Sequence, residues 1–281
     1  VGFFLSISVV VVFFFVIVIA SVIGSKEQPQ ISNKTVLELN LGLDVLDRVN
    51  EEDGALVVLL GEEKTPIGLD NVLWGFDKAA KDDRVKGILL RPDLYSGGFA
   101  TAKEIHDKIL EFRKSGKFIY SYGNFYTEKG YYIASACDSV FLNPKGMAEL
   151  NGLAANVVMY KGMLDKMGVK VEVFKAGTHK GAVEPFIMER LSDNNRTQIK
   201  NYISGIFNTM ATGIAKARKL DKYEVRSNMN EFKAQNAQLA VDYGFMDGLK
   251  YEDEMFETCS RASKRNKKSA PMTNPEAAGI T

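Results

Sequence analysis

One lysine lies in a segment whose composition is unusual for a solvated side chain. Residues 177–186 read GTHKGAVEPF, so small or apolar residues flank Lys180 along the chain. A lysine normally keeps its charged head in water, and an exposed loop lysine with small neighbours is the ordinary interpretation. The alternative is a lysine over which neighbouring backbone closes. Because burial disfavours the ammonium form, an enclosed lysine loses its proton more readily and can act as a general base.

Histidine and cysteine are too sparse for a metal centre or a disulfide framework. The chain has two of each, His106, His179, Cys137 and Cys259, and their spacing matches neither a zinc site nor a redox motif. We therefore expect no metal and no cofactor. The net charge of +1 gives no electrostatic argument for binding nucleic acid.

The segments around these residues alternate between strand-like and helix-like patterns. Strands are predicted near residues 34–41, 55–60, 85–93, 117–123, 139–144 and 169–177. Helices are predicted near residues 68–83, 99–116, 128–136, 157–168 and 192–218, and residues 237–249 predict a short helix, a turn and a last strand. Apolar strands bounded by glycines and separated by helices predict an α/β fold whose largely parallel sheet is covered on both faces.

The longest predicted helix, residues 192–218, has a clear cap and one apolar stripe. Ser192 is a favourable N-cap residue. The stripe consists of Ile199, Ile203, Ile206 and Met210. Such stripes usually face a core, and we expect this one to do so.

The two ends of the chain differ in composition from the rest. Residues 1–24 form an apolar run with no charge, long enough to cross a hydrocarbon core of roughly 30 Å. We therefore predict a retained membrane anchor with one span and not a cleaved signal, followed by a linker and first strand at residues 25–54. Residues 259–281 contain almost no large apolar residues and include a basic run, which predicts a disordered tail.

Several segments, taken in chain order, resemble one family of enzymes. They read AKDDRVKGILL, SGGFATAKEIHDKI, GYYIASACDSVFLNPKG, YKGMLDKMGVKVEVFKAGTHKGAVEPF and FMDG. Together they resemble the amino-terminal half of the long form of signal peptide peptidase A (protease IV), a membrane-anchored serine protease family of the Clp protease/crotonase superfamily. The resemblance implies a peptidase domain over residues 55–258, built as a repeated β-β-α spiral with a mostly parallel sheet and preceded by one transmembrane helix.

The resemblance assigns roles to several residues but provides no counterpart for the serine nucleophile. The family hydrolyses peptide bonds with a serine nucleophile and a lysine general base, and Lys180 matches the segment of that lysine. Gly97 and Gly98 match a glycine turn whose backbone N–H helps to stabilise the oxyanion, although a turn that needs glycine explains them equally well. The family's AASGGYY corresponds to YTEKGYY here, so Glu128 stands at the position of the nucleophilic serine.

The chain is therefore expected to be the lysine-donating half of a Ser–Lys peptidase. By the same resemblance, the serine comes from a carboxyl-terminal half or from another subunit. Sites of the family are assembled between neighbouring domains or subunits, so we do not expect Lys180 and Glu128 to meet closely. The resemblance also implies a homo-oligomer in the cell membrane, with its catalytic part on the extracytoplasmic side, that cleaves signal peptides and other extended peptides.

Other nucleophiles and other bases are weighed against this interpretation. A self-contained protease needs a hydroxyl near Lys180. By proximity to the motifs, the candidates are Ser96, Ser121, Ser135 and Thr178. Packing is the ordinary explanation for each of them. His106 is expected at a helix surface, His179 points away from Lys180, and Glu184 is expected to shape the loop after the base.

Two other functions stay open. One is a non-catalytic scaffold of the same fold that oligomerises or binds peptides. The other is an acyl-CoA enzyme of the crotonase type, which the membrane anchor and the peptidase-like segments make less suitable.

Overall fold

The computed structural model describes residues 31–42, 45–49, 67–174, 177 and 180–264. Its strands are β1 (Thr35–Asn40), β2 (Val45–Leu46), β3 (Ile67–Gly68), β4 (Val85–Arg91), β5 (Phe118–Tyr126), β6 (Ser139–Ala148) and β7 (Gly248–Leu249). Its α-helices are α1 (Leu69–Lys81), α2 (Phe99–Phe112), α3 (Glu128–Ser135), α4 (Lys161–Lys166), α5 (Glu184–Ile187), α6 (Asp193–Arg218), α7 (Lys222–Asn230), α8 (Ala237–Asp242) and α9 (Glu252–Lys264). The predicted membrane anchor at residues 1–24 and the predicted strand at residues 55–60 lie outside the described residues.

None of the helices in these ranges combines the length and the apolar character that a membrane span requires.

Within the described residues, five strands form one parallel sheet in the order β1-β4-β5-β6-β7. The order of these strands across the sheet is the same as their order along the chain. β2 and β3 form a separate parallel pair. Parallel neighbours need a crossover connection, and α1, α2 and α3 supply helices between them. The predicted mixed α/β fold with a mostly parallel sheet is confirmed.

Both faces of the sheet are covered, which explains the nearly continuous apolar sequence of its strands. In β4, Ile88 and Leu90 belong to the larger core with α2 and α3. Leu89, whose side chain alternates to the other face, packs in a second cluster with Met255 and Cys259 of α9. The main core thus lies on the face of the sheet that α2 and α3 cover, and α9 covers the opposite face.

The prediction of a disordered tail from Cys259 was wrong for its first residues. Helix α9 continues to Lys264, and Cys259 is 0% exposed against the sheet. A helix on a sheet face needs only a narrow apolar stripe, here Met255 and Cys259 at a spacing of four residues. The average composition of the segment therefore concealed its ordered part. Residues 265–281 lie outside the description.

The predicted strand at residues 169–177 is also wrong where the structure describes it, and α4 is shorter than its predicted range. The alternating sequence VKVEVF has the pattern of a strand, but no neighbouring strand supplies hydrogen bonds to its described residues. Apolar side chains of this region are consequently exposed, and Phe174 is 97% exposed.

The apolar stripe of α6 is core only in its second half. Met210 is buried, Ile206 is partly buried against the core, and Ile199 and Ile203 are half-buried outside it. Burial begins near Phe207 because only that end of the helix reaches α3. The first half of α6 belongs instead to the exposed region around Lys180.

Candidate functional site

Lys180 lies in the exposed region between α4 and α6. It immediately precedes a 3-10 helix, Gly181–Val183, which leads into α5. Its side chain is exposed in this chain. The described residues therefore do not form the enclosing niche predicted for a lysine base, and the amine is accessible to a partner.

Glu128 lies at the first turn of α3, directly after β5. Thr127 caps this helix, and its Oγ1 accepts a hydrogen bond from the backbone N–H of Gly130 at 3.1 Å. Burial raises the pKa of the Glu128 carboxyl to about 7, although hydrogen bonds from the backbone N–H groups of Gly152 and Asn151 oppose the shift. Its Oε1 is buried and has no hydrogen-bond partner among the described residues. Burial therefore favours the protonated form of a carboxyl at the start of α3, and its correspondence to the serine position stays a prediction.

Gly97 and Gly98 follow β4, the strand next to β5, so their turn and the start of α3 meet at one edge of the sheet. Gly98 precedes α2, and its carbonyl accepts a hydrogen bond from Ala102 at 2.9 Å. A Cβ on Gly97 would lie 2.3 Å from Oη of Tyr95. Close packing against Tyr95 therefore favours glycine at position 97, whereas neither Gly97 nor Gly98 has the positive φ for which a turn would need glycine. The oxyanion role stays a prediction.

Lys129 joins the glycine turn to α3, and the sequence analysis missed it. Its Nζ donates to the carbonyl oxygens of Gly97 at 2.7 Å and of Ser96 at 3.1 Å. The ammonium also lies 5.5 Å from the ring centroid of Phe99. Burial lowers the pKa of Lys129. No motif could have identified this residue, since its partners lie more than thirty positions away in the chain.

The structure does not bring the predicted residues into one catalytic group. No hydrogen bond or ion pair in the described part of the chain joins Lys180 to Glu128, and the expectation that the two do not meet closely stays a prediction. Ser135 is buried and its Oγ donates to the carbonyl of Tyr132 at 2.7 Å. Ser121 is buried within 3.0 Å of Oη of Tyr126. Both hydroxyls serve packing; Thr178 and His179 lie outside the described residues.

His106 was expected at a helix surface, and that expectation was wrong. Its side chain is 3% exposed, and its ring stacks on Tyr132 with centroids 4.4 Å apart. Burial lowers the pKa of His106, and the Asp107 carboxylate opposes the shift. The stack bridges α2 and α3, so His106 has a role in packing.

This burial predicts a loss of stability in mild acid. Because the folded-state pKa of His106 is depressed, its stabilising contribution is present above the unfolded-state pKa, near 6.5, and is lost as the pH falls below that value. We expect the free energy of unfolding to fall by roughly 1.4 kcal/mol for each unit of pKa depression, and His106→Phe to remove this dependence while keeping a stacked ring. Urea unfolding between pH 7.5 and 5 measures the free energy of unfolding of both proteins. The prediction would be contradicted if this free energy changed with pH by the same amount in the unmodified chain and in His106→Phe.

The chain is similar to known proteins across the segments that contain Glu128 and Lys180. Residues 111–266, more than half of the chain, match the profile of Peptidase family S49 and include both Glu128 and Lys180. The chain is 28% identical to Protease 4 of Haemophilus influenzae over 75% of its length and 31% identical to Protease 4 of Salmonella typhi over 61%. It is 22% identical over 88% of its length to the putative signal peptide peptidase SppA of Enterococcus faecium, of which it covers 77%.

The chain spans only 35% and 29% of the two Protease 4 sequences. The similarity to those proteins therefore concerns one part of them. The family profile nevertheless covers the sheet from β5 to β7, helices α3 to α9 and the segment around Lys180. On this ground, the chain belongs to peptidase family S49.

Proposed function

We propose that this chain supplies the lysine general base of a Ser–Lys peptidase and receives its serine nucleophile from a carboxyl-terminal half or another subunit. The observation that carries the proposal is the carboxyl of Glu128 at the start of α3, where a self-contained enzyme of this family needs a hydroxyl. A carboxylate cannot replace that hydroxyl without a different mechanism. The exposure of the Lys180 side chain in this chain supports a lysine that works on a partner's residue.

The proposed reaction begins when the partner serine attacks the carbonyl carbon of the scissile peptide bond. Its hydroxyl proton passes to Nζ of Lys180, and the carbonyl oxygen becomes an oxyanion. Lys180 then gives the proton to the leaving nitrogen, the C–N bond breaks and an acyl-enzyme remains. Water, deprotonated by the same amine, attacks the acyl carbon and breaks its bond to the serine oxygen, and Lys180 returns the proton to that oxygen. Only an amine without its proton can start this cycle, so the partner must also cover and desolvate Lys180.

The exposed apolar side chains around Lys180 support such a partner. Val158, Met163, Met167 and Phe174 are all exposed on the described part of residues 153–174. Four large apolar side chains exposed within one short segment suit an interface that a partner would bury. A serine-bearing partner that buries these side chains would at the same time enclose the amine, which links assembly to activation.

The proposal includes the setting implied by the resemblance. The assembly is a homo-oligomer of a membrane-anchored protein, its catalytic part lies on the extracytoplasmic side of the cell membrane, and its domain is a Clp protease/crotonase-like β-β-α spiral. The apolar run at residues 1–24 supports the anchor, and the sequential strand order supports the spiral. Its substrates are extended apolar peptides such as cleaved signal peptides, an inference supported by the name of the Enterococcus faecium relative.

A second candidate is a non-catalytic scaffold of the same fold. The observation that favours it is again Glu128, because loss of the nucleophile is what a domain retained only for assembly or peptide binding would tolerate. The exposed apolar surface suits this role as well. The two candidates differ in what they predict for Lys180, which a scaffold does not need.

Mixing experiments separate the candidates. We expect the purified chain alone to leave a fluorogenic signal-peptide substrate intact and to produce cleavage once it is assembled with a separately expressed serine-bearing half. Size-exclusion chromatography shows whether the complex has formed. Cleavage by the unassisted chain would overturn the proposal of a split site, and a stable but inactive complex would favour the scaffold.

A further inference from the structure

Glu184 is a charged side chain buried in an otherwise exposed region. Among the described residues from 151 to 195, Glu184 is the only buried one, and it is 3% exposed. Burial of a carboxylate is costly unless hydrogen bonds replace its water. This buried carboxylate lies four residues after Lys180, and its hydrogen-bond partners explain why burial is tolerated there.

The carboxylate is held by the amino-terminal end of α6. Its Oε2 accepts hydrogen bonds from the backbone N–H of Ser192 at 2.9 Å and from Nδ2 of Asn195 at 3.1 Å. Its Oε1 accepts a hydrogen bond from Oγ of Ser192 at 2.6 Å. Ser192 is the N-cap of the helix and accepts in turn from the backbone N–H of Asn195 at 3.2 Å. A negative charge at a helix amino terminus is also favoured by the helix dipole.

The same helix end contacts the turn next to Lys180. Nδ2 of Asn195 donates to the carbonyl of Gly181 at 3.4 Å. A Cβ on Gly181 would lie 2.3 Å from Cγ of Asn195, so glycine is required for this close approach. The 3-10 helix that follows Lys180 therefore lies directly on α6, and Glu184 fastens its far end.

We propose that Glu184 is a positioning residue for Lys180. Its carboxylate fixes the lysine-bearing turn to α6, so that the amine enters the assembled site in one orientation. This inference rests on the proposed function of Lys180. Its physical basis is that proton transfer requires close geometry, and a displacement of about 1 Å can cost about 100-fold in rate.

The test uses two substitutions of Glu184 and a matched control. Glu184→Ala removes the carboxylate, Glu184→Gln keeps its shape but exchanges one acceptor for a donor, and Glu189→Gln removes an exposed charge from the same region. The first readout is amide hydrogen exchange of residues 181–196 in the full chain. We expect faster exchange there in both Glu184 variants, unchanged exchange in β4 and β5, and no effect of the control.

The second readout is kcat per assembled complex and its pH profile. We expect Glu184→Ala to lower kcat about 100-fold and Glu184→Gln about 10-fold, with KM unchanged. We also expect the acidic limb of the profile to move about one unit higher, because a loosely held amine is less well desolvated. Partial unfolding would reduce the number of active complexes without moving that limb.

The outcomes distinguish this inference from the function on which it rests. If Lys180→Ala abolishes activity while the Glu184 variants keep the kcat, pH profile and amide exchange of the unmodified chain, the positioning role is wrong and the function stands. If Lys180→Ala has no effect on an active complex, the proposed function is wrong. Unchanged exchange at residues 181–196 would overturn the role of Glu184 whether or not a complex is active.

Discussion

Lys180→Ala is expected to lower kcat/KM of the assembled enzyme by about 1,000-fold while the complex still forms. Alanine leaves the partner serine without a group to receive its proton, so the effect falls on the chemical step and appears mainly in kcat. The side chain is exposed in the single chain, and its removal creates no cavity there. We therefore expect no change in the thermal stability of this chain.

Lys170→Ala is the matched control for this substitution. Lys170 is an exposed lysine of the same region, ten residues before Lys180, and the structure places no helix or strand at its position. Its removal changes the net charge by the same amount, so we expect activity within about twofold of the unmodified complex. An active complex that tolerates Lys180→Ala as well as Lys170→Ala would exclude Lys180 as the base.

Glu128→Gln is expected to stabilise the chain at alkaline pH and to leave it unchanged in acid. The folded-state pKa of Glu128 is raised from 4.5 to about 7, so the protonated carboxyl is the form that folding favours. Its contribution is fully present below pH 4.5 and is lost as the pH rises through 7. Glutamine resembles the protonated form at every pH, and its side-chain carbonyl can still accept the hydrogen bonds from the loop at Asn151 and Gly152.

The expected stabilisation by Glu128→Gln follows from the raised pKa of Glu128. A difference of about 2.5 units corresponds to about 3 kcal/mol, and the partial exposure of Glu128 reduces this to about 1–2 kcal/mol at pH 8. Urea unfolding at pH 4.5, 6 and 8 measures the difference between the two proteins, with Glu104→Gln as the control for an exposed carboxylate on α2. Equal stabilisation at all three values of pH would show that the ionisation of Glu128 is not its cause.

The two predictions together test the proposed site from which one component has been exchanged. In the proposal, the exposed Lys180 is the base, and Glu128, whose neutral form folding favours, stands at the position of the nucleophile. Lys129 occupies the adjacent glycine turn by binding its carbonyl oxygens. These hydrogen bonds fix the shape of the turn to which the proposal assigns the oxyanion.

Local patterns in the sequence were sufficient for most of the elements. The apolar spacing of residues 68–83 predicts α1, and Gly116 ends the helical segment after α2 with a positive φ of 76°, as its lack of a Cβ allows. Ser192 caps α6 through its hydroxyl, as predicted. Periodicity, caps and turn residues act over a few positions, so a single sequence contains that information. The order of motifs likewise indicated the family.

Tertiary structure decided which of these residues find partners. Residues 169–174 have the alternation of a strand but no neighbour to pair with, whereas Cys259 and His106 are buried because a sheet face and Tyr132 happen to meet them. Glu184 becomes an anchor only because α6 brings Ser192 and Asn195 to its carboxylate. Burial and hydrogen bonding depend on distance in space and not on distance along the chain, so local patterns could predict most elements and the family, whereas only the fold sets the environment of each side chain.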